Sequence, residues 1–161
     1  MSEAKLAIHQ TDASEIVRTA HEFLAFSLAG ESYALPLPSI REILKAPPIT
    51  EIPRAEYDIL GIISVRGRIT TVIDLRRRLH LEEGPLTKDT RILLVDRGDE
   101  VIGVLVDLVH QVYRLHPDEI ELSSVMGSDV SDHFVGIGRP GGEGSETLLI
   151  LLDPIALLRR N

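Results

Sequence analysis

Residues 59–76 of the chain have the sequence ILGIISVRGRITTVIDLR, and this stretch decides the fold. Apolar residues dominate positions 60–65 and 69–73, on either side of Gly67. Runs of this length predict two β-strands, and Gly67 supplies the positive-φ position that a tight turn requires. The stretch therefore predicts a β-hairpin whose second strand meets a short helix capped by Asp74.

The same pattern occurs in two blocks of the chain. An apolar run, a Gly-acidic turn and a second apolar run occupy residues 23–35 and again residues 92–106. Each block ends in a strand followed by a helix-capping Asp, at Asp74 and at Asp153. A duplicated small β-barrel explains this repeat, because closing each sheet buries its edges. Chance similarity stays open, since apolar strands with Gly-acidic turns are common.

Composition narrows the class of protein. Of the 161 residues, 43% are hydrophobic but only 4% are aromatic, which favours strands over an all-helical bundle. The net charge of -8 disfavours binding to nucleic acid or to an anionic membrane. The sequence contains no cysteine, no secretory signal pattern and no apolar run of ~18 residues. We therefore expect a cytoplasmic protein without direct membrane insertion, with a polar tail over residues 1–21.

Residues 59–76 resemble the signature of the CheW family, in which a Gly, an Arg-Gly turn and a strand ending in Asp-Leu-Arg follow one another. The resemblance covers about residues 22–160. It implies an all-β fold with short helices, in which two small five-stranded β-barrels of Src-homology type pack together as one domain. The two lobes would span about residues 22–85 and 86–160, and strand exchange between them stays open. Further similarity lies in the segments 40–43, 103–107, 120–124 and 148–158.

The resemblance also implies a function without catalysis and without a cofactor. It indicates an adaptor that couples the cytoplasmic tip of a methyl-accepting chemoreceptor to the regulatory domain of a CheA-type histidine kinase. Such an adaptor clusters at receptor arrays through its partners. The sequence does not distinguish flagellar, gliding or developmental outputs.

Glu42 and Arg66 are the interface pair that the resemblance predicts, because the family's turn Arg pairs with the Glu of the upstream strand. If partly buried, a bidentate pair would fix the geometry of the turn, and losing one partner would leave an uncompensated charge. The alternative is a solvated pair of little energetic weight. The resemblance favours the organising role.

A receptor-facing groove is the second site that the resemblance implies. It assigns Ile40, Gly61 and Ile92 to a groove that accepts the tip of a helical hairpin through an apolar helix face. Arg91 stands where the family tends to be apolar, and we expect its charge to tune which receptor is accepted. The alternative is that Ile40 and Ile92 are ordinary core residues.

Two positions depart from the family pattern. Ser64 replaces the usual Asn two positions before Arg66, and Thr71 replaces the usual Pro before the Val-Ile-Asp strand. Neither change breaks the turn, since Ser keeps a short polar side chain and Thr suits a strand at least as well as Pro does.

Two other classes of protein compete with the adaptor: a small β-barrel that binds nucleic acid, and a hydrolase. Arginines 76–78 could contact phosphates, but on an acidic chain with few aromatics we expect a solvated helix face instead, and a contact with an acidic partner surface stays open. Ser123 and Ser124 lack a nucleophile elbow, and the six histidines lack metal-ligand spacing. The glycines of residues 138–144 predict a hairpin loop rather than a phosphate cradle. We therefore expect no catalytic residue and no metal site.

Overall fold

β-Strands dominate the computed structural model, which describes residues 22–123 and 132–159. The predicted tail at residues 1–21 lies outside the described residues, as does Ser124. The described strands are β1 (Glu22–Leu28), β2 (Glu31–Pro36), β3 (Ile40–Lys45), β4 (Ile59–Val65), β5 (Arg68–Asp74), β6 (Arg91–Asp96), β7 (Val101–Val106), β8 (Leu108–Arg114), β9 (Ile120–Leu122), β10 (Phe134–Gly138) and β11 (Leu149–Leu152). The α-helices that lie wholly within the described ranges are α1 (Leu75–Arg78) and α2 (Pro154–Leu157), and the 3-10 turns there are Leu37–Ser39 and Pro117–Glu119.

The strands form two sheets. The six-stranded sheet has the order β8-β1-β2-β11-β10-β9, and the five-stranded sheet has the order β3-β6-β7-β5-β4. The six-stranded sheet has one strand more than the five expected, because the short strand β9 pairs with β10 at its edge. The predicted all-β class with short helices is confirmed.

The two sheets exchange hairpins between the halves of the chain. The hairpin β1–β2 lies between β8 and β11, whereas the hairpin β6–β7 lies between β3 and β5. In each sheet the second strand of the hairpin makes the parallel pairing, β2 with β11 and β7 with β5. Each sheet therefore contains strands from both sides of residue 85, and the two sheets repeat one arrangement.

The turn between β4 and β5 consists of two residues, Arg66 and Gly67. Their φ angles are 51° and 82°, so both central positions have positive φ. This is the geometry of a type I′ turn, whose twist matches that of the two strands it connects. Gly67 adopts it without strain, whereas Arg66 accepts a less favourable conformation that places its side chain at the tip of the hairpin.

The segment after β3 joins the two ends of the five-stranded sheet. Thr50 and Ile62 exchange two backbone hydrogen bonds, each 2.9 Å long. Gly61 makes this approach possible, since a Cβ on Gly61 would lie 2.1 Å from the carbonyl oxygen of Thr50. Thr50 thus connects the chain beyond β3 to β4, the strand at the opposite end of the sheet.

An aspartate caps each short α-helix, as predicted. The carboxylate of Asp74 accepts a hydrogen bond from the backbone N–H of Arg76 at 3.0 Å. The carboxylate of Asp153 accepts from Ile155 at 3.0 Å and from Ala156 at 3.4 Å. Burial raises the pKa of both carboxyl groups above the ordinary value, although the capping hydrogen bonds oppose that shift.

Buried side chains form three apolar clusters, which place the core within and between the sheets. The largest, which we call the inter-sheet cluster, contains residues of both sheets, among them Phe26, Leu35, Leu93 and Val104. The second cluster draws on strands of the six-stranded sheet. The third draws on strands of the five-stranded sheet. Members of the second are Phe23, Ala25, Ala34, Leu115, Val135, Leu149 and Leu151, and members of the third are Ile63, Val72, Ile92, Leu94 and Leu105.

The expectation that arginines 76–78 form a solvated helix face is wrong. The guanidinium of Arg76 binds Asp107, and that of Arg78 donates to Asp58 at 2.9 Å and to the carbonyl oxygen of Leu157 at 2.7 Å. Arg77 binds Glu83 at 2.9 Å. The helix has only four residues and packs against β7, so long side chains on it reach neighbouring elements instead of water.

Candidate protein-docking surface

Arg66 and Glu42 form a bidentate ion pair between the two ends of the five-stranded sheet. Nη1 of Arg66 donates to Oε1 of Glu42 at 3.1 Å, and Nη2 donates to Oε2. Glu42 lies on β3 and Arg66 lies in the turn after β4. Because β3 and β4 are the terminal strands of the sheet, the pair reinforces the connection that Thr50 and Ile62 make through the backbone.

The pair lies at the surface, with 72% of the Arg66 side chain and 32% of the Glu42 side chain exposed. The hydrogen bonds from Arg66 hold the pKa of Glu42 below its usual value, and those to Glu42 raise the pKa of Arg66. Water and salt screen such an exposed pair, so it contributes little to stability. Its geometry instead fixes how the tip of the β4–β5 hairpin lies against β3.

A β-bulge in β3 determines which side chains reach the surface beside this pair. In the ladder with β6, Ile40 is opposite Val95 and Glu42 is opposite Leu94, so Arg41 is an extra residue. Beyond the bulge Ile43 is opposite Leu93. Cross-strand partners share a face, so Ile40 and Ile43 lie on the same face although they are three residues apart.

Ile40 and Ile43 therefore form what we call the apolar stripe of β3. The stripe lies on the same face of the five-stranded sheet as Leu93 and Val95, which belong to the inter-sheet cluster. Ile40 is partly buried against that cluster, but Ile43 is 44% exposed. The stripe thus extends the apolar surface of the inter-sheet core outwards to solvent along an edge strand.

The structure does not bring the predicted groove residues together in one groove. Ile92 is fully buried in the third cluster, on the opposite face of β6 from Leu93. Gly61 is buried on β4, next to Thr50. Ile40 and Arg91 share a face, but they lie at opposite ends of the β3–β6 ladder. Contact with a partner through Ile40 and Arg91 is compatible with this geometry, whereas the Ile92 side chain has no exposed surface.

Two residues that were not among the predicted groove residues complete the exposed face. Ile43 belongs to the stripe, and Lys45 is the cross-strand partner of Arg91. The signal for Ile43 was hidden because simple alternation along β3 would place it on the face opposite Ile40. The bulge at Arg41 reverses that assignment, and a bulge leaves no clear mark in a single sequence.

Within residues 22–123 and 132–159, no group of three or more His, Asp or Glu side chains is placed to hold a metal ion. In the same part of the chain, no helix has the length and apolar character needed to cross a bilayer.

All of the described residues lie within a match to a known protein family. The model of the CheW-like domain matches residues 22–161. The chain belongs to the CheW family. This membership agrees with the hairpin at residues 59–76, on which the resemblance was based.

Two CheW proteins and one CheW structure illustrate the similarity. The chain is 36% identical to the chemotaxis protein CheW of Bacillus subtilis over 105 residues, which are 65% of this chain and 67% of that protein. It is 30% identical to the CheW of Helicobacter pylori over 137 residues, which are 85% and 81% of the two proteins. The crystal structure of the scaffolding protein CheW from Thermoanaerobacter tengcongensis matches with a TM-score of 0.77 and 30% identity, covering 89% of this chain and 95% of that one.

Membership in the CheW family makes the chain a scaffold or adaptor of chemotaxis-type signalling. The structural match also confirms the predicted CheW-like fold.

Proposed function

We propose that the protein is a non-catalytic adaptor that couples methyl-accepting chemoreceptors to a CheA-type histidine kinase. The observation that carries this proposal is the match of the CheW-like domain over residues 22–161, together with the solved relative that is titled a scaffolding protein. Coupling of this kind needs two docking surfaces and a rigid connection between them, because an adaptor acts only by holding its partners in a defined geometry.

The apolar stripe of β3 is the surface that we assign to the receptor. A helical hairpin presents an apolar face, and Ile40 and Ile43 offer a complementary strip next to the inter-sheet core. Gly61 and Ile92, which the resemblance assigns to the groove, are buried and would support this surface without contacting the receptor. Ile92 is opposite Leu44 and packs beneath β3, and Gly61 allows the backbone of Thr50 to approach β4.

The ion pair of Glu42 and Arg66 has an organising role in this proposal. It holds the tip of the β4–β5 hairpin against β3, on the strand that also carries the stripe. Losing Arg66 would release the hairpin tip without opening the core, since the pair is exposed. We therefore expect Arg66 to matter more for coupling than for folding.

Reconstitution tests the proposal directly. Purified protein is mixed with membranes that carry the cognate receptor and with the cognate kinase, and kinase autophosphorylation is measured with and without attractant. We expect receptor control of the kinase only when the protein is present. Kinase activity that is the same with and without the wild-type protein contradicts the proposal.

Variants of the hairpin tip test the role of the ion pair. Arg66→Ala should reduce receptor control of the kinase, whereas Arg68→Ala should leave it intact. Arg68 is a matched control because it is an exposed cation two positions away, outside the Glu42 pair. Recovery in the exchanged variant Glu42→Arg/Arg66→Glu would support pairing as the reason. Equal activity of the Arg66→Ala and Arg68→Ala variants would contradict the organising role.

A further inference from the structure

One end of the apolar stripe carries two cations that face each other. Lys45 and Arg91 are direct partners across the β3–β6 ladder. They lie on the face of Ile43 and Leu93, because residues two apart on a strand point the same way. The face therefore changes from apolar at Ile40 and Ile43 to cationic at Lys45 and Arg91.

This cation pair has no acidic partner within residues 22–123 and 132–159. Nη1 of Arg91 donates to the carbonyl oxygens of Lys88 and Thr90, each at 2.9 Å, and neither residue supplies a carboxylate. Asp89, two positions from Arg91, forms no ion pair with it in these ranges. Like charges directly opposite each other on neighbouring strands destabilise a sheet. The two cations therefore destabilise the folded protein, and no ion pair within the described ranges offsets this effect.

Several other arginines of the described ranges form ion pairs. Arg68 forms none there, but its cross-strand partner is Val65 and not a second cation. Arg76, Arg78 and Arg97 each bind at least one carboxylate. The chain also has 25 acidic side chains and a net charge of -8, so anionic partners are available in excess. Lys45 and Arg91 thus form a small positive patch on a protein of negative net charge, and this patch lies beside an exposed apolar strip. This combination is expected of a docking surface for a partner that carries the missing anion.

We propose that Lys45 and Arg91 bind a carboxylate at one end of the receptor's apolar helix face. This inference rests on the proposed function and specifies the chemistry of the receptor segment. From Ile40 to Lys45 the strand extends on the order of 15 Å, which corresponds to about three turns of an α-helix. The segment is a helix with apolar residues along about three turns and an Asp or Glu at the end that lies over Lys45 and Arg91.

The net charge of the protein makes this contact selective. The long-range field of a chain with net charge -8 repels acidic segments. Only a segment whose carboxylate reaches the cation pair while its apolar face covers Ile43 gains both interactions. A neutral or basic segment would bury Lys45 and Arg91 without a counter-charge, which is unfavourable.

Charge reversal with a matched control tests the inference. The variants Lys45→Glu, Arg91→Glu and Arg68→Glu change the net charge by the same amount, but Arg68 lies outside the β3–β6 face. Binding to the cytoplasmic fragment of the cognate receptor is measured from low to high salt. We expect about ten-fold weaker binding at low salt for Lys45→Glu and Arg91→Glu, with a difference from wild type that shrinks as salt increases. Arg68→Glu should stay within about two-fold of wild type.

The outcomes separate this inference from the adaptor proposal. If wild type binds the receptor fragment and the Lys45→Glu and Arg91→Glu variants bind as Arg68→Glu does, the inference is wrong while the adaptor proposal stands. If these variants lose only binding to the kinase regulatory domain, the occupant is the kinase and the inference is wrong. If wild type binds neither partner, both fail. Should a charge reversal unfold the protein, Lys45→Gln and Arg91→Gln give the same test with a smaller expected loss.

Discussion

Arg76 and Asp107 form a two-pronged ion pair that joins helix α1 to the junction between β7 and β8. Nε of Arg76 donates to Oδ1 of Asp107 at 3.0 Å, and Nη2 donates to Oδ2 at 2.6 Å. The same carboxylate accepts a hydrogen bond at 2.8 Å from the backbone N–H of Ala29, in the turn between β1 and β2. The side chain of Asp107 thus binds both helix α1, which follows β5 of the five-stranded sheet, and the β1–β2 turn of the six-stranded sheet.

Breaking this connection should destabilise the protein more than breaking an exposed ion pair. Arg76→Met keeps the apolar stem but leaves Asp107, 29% exposed, without its cation. We expect a loss of about 1–3 kcal/mol in the free energy of unfolding, measured by urea denaturation. Arg41→Met is the control, because Arg41 pairs with Asp96 but is 62% exposed, and it should cost about 0–1 kcal/mol. Equal urea midpoints for the two variants would refute this view of Arg76.

The cap of helix α2 offers a test of charge against hydrogen bonding. Asp153→Ala removes the acceptor of two backbone N–H groups and should cost about 1 kcal/mol of unfolding free energy. Asp153→Asn keeps an acceptor oxygen and removes the charge that burial disfavours. We therefore expect the Asn variant to be close to wild type at neutral pH. A cost for Asn as large as that for Ala would mean that the charge itself is needed.

The difference in stability between wild type and the Asp153→Asn variant should depend on pH in a definite direction. Burial raises the pKa of Asp153 in the folded protein, so folded protein binds this proton more readily than unfolded protein does. As pH falls from the folded pKa towards the ordinary carboxyl value, wild type should gain stability relative to Asp153→Asn. Comparing the two proteins removes opposite contributions such as that of Asp96, whose pKa is lowered by hydrogen bonds from Arg41. A difference that stays flat across this window would contradict the raised pKa.

Gly61 and Gly67 should respond very differently to alanine. Both have positive φ, but a Cβ on Gly61 would lie 2.1 Å from the Thr50 carbonyl oxygen, whereas a Cβ on Gly67 would have no neighbour within 4 Å. Gly67→Ala should cost about 1–2 kcal/mol from backbone conformation alone. Gly61→Ala should cost more, and should expose the backbone N–H of Ile62 to hydrogen exchange, because the Thr50 bridge must move. Equal costs for the two changes would show that the Thr50 contact is easily relaxed.

The exposed end of the apolar stripe should matter for binding and not for folding. Ile43→Ser removes a side chain that is 44% exposed, so its thermal midpoint should stay near that of wild type. We expect binding to the receptor fragment to weaken by about 1–2 kcal/mol, measured by calorimetry. Leu86→Ser is the control, since Leu86 is 63% exposed in the loop before β6. Equal receptor affinities for the Ile43→Ser and Leu86→Ser variants would contradict a role of Ile43 in docking.

Most of the fold could be predicted because its signals are local. The hairpin at residues 59–74 follows from two apolar runs about Gly67, and the helix caps follow from Asp74 and Asp153 at the ends of strands. These features depend on neighbouring residues alone, and the structure has each of them. Even the repeat of the two blocks could be recognised, since matching strands produce matching apolar patterns.

The docking face was harder to predict because it depends on register and on distant contacts. The bulge at Arg41 moves Ile43 to the face of Ile40, and an apolar pattern does not reveal one extra residue. Burial separates Ile92 from Ile40 although both are apolar strand residues. Arginines 76–78 resemble a solvated cluster in sequence, but their carboxylate partners Asp107, Glu83 and Asp58 are brought close only by the fold.

The exchange of hairpins has a consequence for synthesis of the chain. During translation, β1 and β2 emerge from the ribosome before β8 and β11, their neighbours in the six-stranded sheet, have been synthesised. Phe23 and Phe26, which become fully buried, must wait for the last part of the polypeptide before their surroundings exist. A messenger truncated after β7 would yield five strands that can pair as one sheet and an orphan hairpin of apolar side chains. Such a product is a natural substrate for chaperones and proteases.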